Sequence, residues 1–362
     1  MNTPQHLESH YDSIVVGAGP AGTMAARHAA ARGRVLLVDS SSLPRDKSCG
    51  GMLNEYSQEF LAEYGEMPEA LWLEPHWVNF RYHDWDRKIR KPTELRFANV
   101  DRRGFDDWLI SLLPENVTVC GSTALRSFEQ RESGVLARLK LDGTEAEVAC
   151  ENLIGCDGPR SSVRRTLGVG SVATYVTLQD FCAIEGPIEP FFDCIYLRDI
   201  GDSFGYAYVV PKGDVAIVGS VFYPKTKHPH VKHDQVLEVL RGSLPLGASR
   251  KREAWVALSV RDRHDVVRGK GRVLLAGEAG GFMSPTSGEG ISYALNTGRL
   301  AGTAVAGHAP DDALRAYEQA SARIAGNIAR KLKWLPFMES RGGKYLAGFV
   351  PTPLVSRVTK GL

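Results

Sequence analysis

Residues 11–39, YDSIVVGAGPAGTMAARHAAARGRVLLVD, decide the fold. The apolar, β-branched run DSIVV at 12–16 predicts a buried parallel strand. Gly17, Gly19, Pro20, Ala21 and Gly22 form the turn that follows, and the alanine-rich stretch up to Gly33 predicts a helix. RVLLVD (34–39) supplies the next strand and ends on Asp39, 22 residues after Gly17. Such a βαβ unit brings backbone N–H groups and a helix N-terminus to a pyrophosphate, while the acidic residue takes an adenosine ribose hydroxyl. The turn reads as dinucleotide binding and leaves open whether the nucleotide is a flavin or a nicotinamide.

Whole-chain numbers bound the alternatives. With 362 residues, 43% hydrophobic and 24% charged, the chain can bury a large cofactor and is not extensively disordered. Its 44 basic and 42 acidic residues give a net charge of +2, which makes no case for nucleic-acid binding. Six scattered cysteines lack CxxC spacing, so a metal site is not expected and reduced thiols in the cytoplasm fit best. The N-terminus lacks a secretory pattern, and no apolar run is long enough for a transmembrane helix. HPHVKH (228–233) is interrupted by proline and has no adjacent acid, so it reads as a solvated loop.

Two later segments extend the nucleotide pattern. NLIGCDGPRSSVRRTLG (152–168) predicts a strand, an Asp157-Gly158 turn and a helix start carrying Ser161, Ser162, Arg164 and Arg165. GRVLLAGEAGGFMSPTSGEGISYALNTGRLAG (271–302) predicts a strand, a turn at Gly277 and Glu278, a loop, and a helix from near Gly288. With KSCGGML (47–53), DRRGFDDWL (101–109) and GYAYVVPKGD (205–214), these motifs resemble in order and spacing the para-hydroxybenzoate hydroxylase superfamily of flavoproteins. Within it they are similar to the geranylgeranyl reductase-like branch, and there to the bacterial CbrA-like flavoproteins.

The resemblance implies FAD. It places the adenosine end on Gly17 to Gly22 and Asp39, and the reactive end near Cys49, Gly50 and Gly51. Arg102, Asp157, Gly158 and Gly277 would approach the cofactor, and Glu278 would accept hydrogen bonds from the ribityl chain, although most of the superfamily has Asp there. Pro285, Gly288, Glu289, Gly290 and Ile291 would present backbone donors and a helix N-terminus to the flavin ring. NAD(P)H is the expected transient electron donor, using Arg160, Arg164 or Arg165 unless these only solvate a helix start or a partner protein delivers the electrons.

The expected fold is α/β: a Rossmann-like FAD domain of the glutathione reductase type, with an inserted, mostly antiparallel substrate sheet and C-terminal helices. The FAD domain would take residues 1–75, 101–168 and 266–310, the substrate domain 76–100 and 169–265, and the helical segment 311–362. Tyr206, Tyr208 and Phe192 are candidate lining residues, and Cys49, Tyr206 and Tyr208 candidate catalytic groups. No acid or base is fixed. The flavin site, and a chain short beside the larger prenyl reductases, make a monooxygenase acting through a flavin C4a-hydroperoxide on an aromatic or unsaturated hydrophobic substrate the first expectation, while the CGG and GYAYVVP resemblance suggests a reductase. Reduction of isoprenoid double bonds, or oxidation of a tryptophan on a partner protein, are the alternatives. The C-terminal mixture of Arg330, Lys331 and Lys333 with Trp334, Leu335 and Phe337 caps the substrate entrance, or touches a membrane surface or a protein substrate.

Overall fold

The computed structural model describes residues 7–351 apart from 142, 199, 201–203 and 348. Residues 1–6 and 352–362, parts of the expected FAD-binding and C-terminal segments, lie outside the described residues. Two eight-stranded sheets carry the fold.

The strand His10–Val16 lies at the centre of the first sheet, parallel to Val35–Val38 on one side and to Thr144–Gly155 on the other. Its apolar residues are buried on both faces, as helices on either side of a parallel sheet require. Val117–Cys120 and Val273–Leu275 extend the sheet, and the hairpin Thr123–Leu141 joins it by pairing antiparallel with the first part of Thr144–Gly155. The helix Pro20–Ala29 packs closely along Ile291–Gly307, because Gly298 and Gly302 leave room for the backbone at Ala21 and Ala29. A Cβ at Gly298 would stand 2.9 Å from Ala21 Cα. This contact sets the start of the second helix beside the Gly17–Gly22 turn.

The second sheet is antiparallel except where Phe191–Tyr196 runs parallel to Trp72–Asp84. Alternation gives it two uses. On Thr174–Ile184, Tyr175, Thr177 and Gln179 face a large cavity, whereas Leu178 and Cys182 pack in the cluster that buries the helix Pro229–Arg241. Three C-terminal helices, Ala313–Leu332, Leu335–Glu339 and Arg341–Ala347, close one side of the molecule. Buried Tyr317 ties the first of them to the parallel sheet through the Leu275 carbonyl, 3.0 Å away.

The expected architecture is therefore present, with local corrections. The substrate sheet begins at Trp72 rather than at residue 76. Met52–Leu53, which belonged to the expected FAD segment, pairs with Asn99 and Ala98 on the edge of the substrate sheet. The helix expected from Gly288 starts at Ile291. HPHVKH is no loop: Pro229 opens a helix, and His233 is buried between Ser220 Oγ (2.7 Å) and Asp180 Oδ1 (3.1 Å). Proline suits the first helical turn, and the buried partners lie too far away in sequence to be read locally.

Candidate functional site

The Gly17–Gly22 turn closes on itself before it offers anything to a ligand. Gly17 adopts φ +103°, its N–H reaches the Val38 carbonyl at 2.7 Å, and a Cβ there would stand 2.9 Å from Asp157 Cα. Asp39 accepts the Ala18 N–H at 2.8 Å and the Ser41 N–H at 2.9 Å, which fixes the carboxylate at the end of its strand. Gly19 behaves differently. The only atoms near its missing side chain are those of the Arg45 guanidinium, so its backbone is open to the cavity. Arg45 pairs with Asp106 at 3.0 Å, while its buried Nε has no hydrogen-bond partner. A backbone cradle without side chains beside a guanidinium with an open N–H fits an anionic dinucleotide.

The CGG loop passes along the floor of the same cavity. The charge of Arg102 acts on the Cys49 thiol, and the same guanidinium grips Asp106 at 2.9 Å. Asp101 caps that helix by accepting the Gly104 N–H. Burial pushes the Cys49 thiol up, but Arg102, the Gly51 N–H and Lys47 outweigh it and draw the group below its ordinary value. Burial alone would lower Arg102; Asp106 and Cys49 raise it instead, so it stays charged. Ser48 donates to Gln179, and Gln179 donates to the Tyr208 hydroxyl, a chain that links the loop to the substrate sheet. Lys212 adds a second link by bonding the Gly51 carbonyl.

The third wall comes from residues 277–291. The Gly277 N–H bonds Thr297 Oγ1 at 2.9 Å, and Glu278 reaches Lys47 Nζ at 3.0 Å and the Leu258 N–H at 3.3 Å. Gly288 adopts φ +67°, with the Tyr206 hydroxyl 3.4 Å from where a Cβ would stand. Pro285, Gly290 and Ile291 border the cavity. The Glu289 carboxylate also reaches this wall, but it is occupied as a helix cap, accepting the Ser292 N–H and Oγ at 2.7 Å. Burial pushes that carboxyl up. Asp157 is likewise occupied by the Ser162 and Val163 N–H groups and two serine hydroxyls, while Gly158 at φ +75° leaves open space.

All three walls face one cavity of about 1920 Å³. That exceeds the roughly 300–1,000 Å³ of a pocket for one drug-sized ligand, so a dinucleotide and a second molecule fit together. Beyond the CGG loop its lining turns aromatic. Tyr206, Tyr208 and Phe192 meet there, with Phe192 edge-on to Tyr208 at 5.8 Å. Burial keeps both tyrosine hydroxyls protonated. Of the arginines considered for a nicotinamide, Arg160 and Arg165 border the cavity. Arg164 does not serve: it is buried on the carbonyls of Gly170 and Ala279. Sequence reasoning missed Arg45, Gln179 and Lys212. Only Lys212 carried a signal, as the last residue of the Pro-Lys strand motif.

Comparison with known proteins agrees with this geometry. Residues 111–331 match the family described as FAD binding domain. Protein CbrA from Escherichia coli O9:H4 is 29% identical over 330 residues, covering 89% of this chain and 88% of that protein. CbrA from Shigella sonnei is 30% identical over 295 residues, covering 80% and 82%. A geranylgeranyl bacteriochlorophyll reductase-like protein from Thermoplasma acidophilum superposes with TM-score 0.81 at 20% identity, over 97% of this chain and 92% of that one. The flavin-dependent brominase Bmp2 superposes with TM-score 0.76 at 17% identity, over 97% and 94%. At those identities the structural likeness speaks for the fold alone. Cradle, fold and sequence relatives converge: the chain belongs to the FAD binding domain family, is similar to CbrA along most of its length, and is an FAD-dependent oxidoreductase.

Proposed function

We propose that this oxidoreductase saturates carbon–carbon double bonds in a large apolar, isoprenoid-like substrate, with NAD(P)H as the transient electron donor. The observation that carries the reading is the Cys49–Arg102 pair at the floor of an aromatic-walled cavity. Bound FAD supplies hydride-transfer chemistry at that floor. Gly17 to Gly22, Arg45 and Asp39 would hold the adenosine and pyrophosphate end, and the backbone at 285–291 and the CGG loop would flank the ring.

Reduction of a double bond needs a proton as well as a hydride. Cys49 Sγ, drawn toward the thiolate by Arg102, exchanges its proton more readily than an ordinary thiol, whereas Tyr206 Oη and Tyr208 Oη hold theirs. The aromatic walls exclude water and orient an extended apolar chain. Oxygen transfer, the first expectation from the sequence, is disfavoured by the same thiol: a cysteine drawn toward the thiolate beside an oxygen-activating centre is readily oxidised. No histidine borders the cavity among the described residues, so an aromatic hydroxylase would find no imidazole base there.

Anaerobic turnover with NADH or NADPH and a prenylated alkene is the test. Loss of the double bond, with flavin reoxidised in step, supports the reading. Turnover that proceeds only in air, consumes oxygen and yields a hydroxylated product overturns it.

A further inference from the structure

The charge of the chain is concentrated at one end. Residues 322–362 contain eight Lys or Arg and one acid, Glu339, which leaves 36 basic and 41 acidic residues in the rest. A segment of net charge +7 is thus joined to a body of net charge −5. The described part of this segment buries Ile328 and Leu335 but leaves its aromatic side chains exposed. Trp334 is 58% exposed, Phe337 46%, Tyr345 49% and Phe349 59%.

The position of these side chains gives them a use. Trp334 and Phe337 border the cavity mouth and face outward, so the apolar lining continues onto the surface. Beside them the turn between the strands Trp72–Asp84 and Ile89–Val100 adds basic residues. Arg87 stacks over Tyr345 at 3.7 Å and over Phe349 at 4.9 Å. Lys88 and Arg90 on the same turn are exposed, as are Arg330 and Lys333 on the C-terminal side. Of the acidic groups beside these residues, Glu339 pairs with Arg261, Asp84 with Arg87 and Arg198, and Asp86 with Arg198, while the exposed Glu55, Glu59 and Glu94 border other parts of the cavity.

Exposed aromatics surrounded by Lys and Arg match the interface of an anionic bilayer, where rings sit among the headgroups and cations neutralise phosphates. No described helix is long and apolar enough to cross a membrane, so contact would be from one side. We propose that the cavity mouth docks on an anionic phospholipid surface through Trp334, Phe337, Phe349 and the surrounding cations. The consequence that substrate enters from the acyl layer rests on the reading given under Proposed function; the docking itself does not.

The test uses the full-length, FAD-loaded protein in flotation with vesicles of phosphatidylcholine alone or mixed with phosphatidylglycerol. The expected result is capture by the mixed vesicles only, reversed by salt. Trp334→Ser combined with Phe337→Ser and Phe349→Ser should weaken capture at least tenfold, and so should Arg330→Glu combined with Lys333→Glu, each with flavin absorbance retained. Absence of capture at low salt, or capture indifferent to both variants, overturns the proposal. If the wild type ignores vesicles and the aromatic variant instead abolishes self-association, the patch belongs to a second copy and the proposal likewise falls. Capture without double-bond reduction overturns only the proposed reaction; reduction of a detergent-dispersed alkene without capture overturns only the docking.

Discussion

Lys212 Nζ lies 2.9 Å from the Gly51 carbonyl oxygen and 3.1 Å from that of Val100, with no carboxylate in hydrogen-bond contact. Burial pushes the amine down from 10.5 to about 7. A neutral amine still has two N–H groups, one for each carbonyl. Between about pH 7 and 10.5 the unfolded chain binds the proton that the folded chain has released, so stability rises with pH across that window. Below it the cost of burying the charge is borne in full. Lys212→Met should flatten this rise, cost about 1–3 kcal/mol through the unsatisfied carbonyls, and weaken FAD retention. Denaturation at a series of pH values, with flavin release followed in parallel, checks it.

Cys49 should be the most readily alkylated thiol of the chain. The other five cysteines are all pushed upward, Cys120 to about 11 and Cys150 and Cys194 to about 12. In the apoprotein, alkylation by iodoacetamide should have its pH midpoint below that of an ordinary thiol, and Arg102→Gln should move the midpoint up. Peptide mapping by mass spectrometry identifies the modified residue. An unchanged midpoint would remove Arg102 as the cause.

Two glycines of one turn should fail differently. Gly17→Ala forces a side chain into a left-handed conformation and against the Cys156–Asp157 backbone, so stability should fall by at least about 1–2 kcal/mol along with flavin binding. Gly19→Val meets only the movable Arg45 guanidinium. Its melting temperature without cofactor should stay near the wild-type value while FAD binding is lost. Paired thermal melts and flavin titrations separate the two.

Ser220, His233 and Asp180 are arranged like a hydrolase triad, yet all three are buried on the side of the sheet opposite the cavity. A fluorophosphonate probe should leave Ser220 unlabelled. His233→Leu should destabilise the protein by about 2–3 kcal/mol, because it strands a buried hydroxyl and weakens the Asp180–Arg252 network. The rate of flavin reduction should stay within about twofold of wild type.

The parts of the site that could be read from the sequence are those built by neighbours in the chain. Gly17 to Asp39 is one contiguous βαβ unit, and its strand, turn and helix each follow from local pattern. The roles of Asp157 and Glu289 were only half legible: the motifs place both at the cavity wall, but their carboxylates cap helices within a few residues of themselves. Arg45, Gln179 and Lys212 were not legible as a set. Lys212 meets Gly51 across 161 positions and Gln179 meets Ser48 across 131, and no local periodicity records such pairings. The helix Pro229–Arg241 escapes a local reading because proline reads as an interruption, when at a first turn it is a start.

The two-residue strand Met52–Leu53 has a consequence for how such an enzyme can diversify. The loop that would lie beneath the reactive ring is stitched to the edge of the sheet that forms the substrate walls. Cofactor floor and substrate wall are one piece of fabric. A change that reshapes this edge of the sheet for a new molecule would also move the loop meant for the ring, so the two sites would not vary independently.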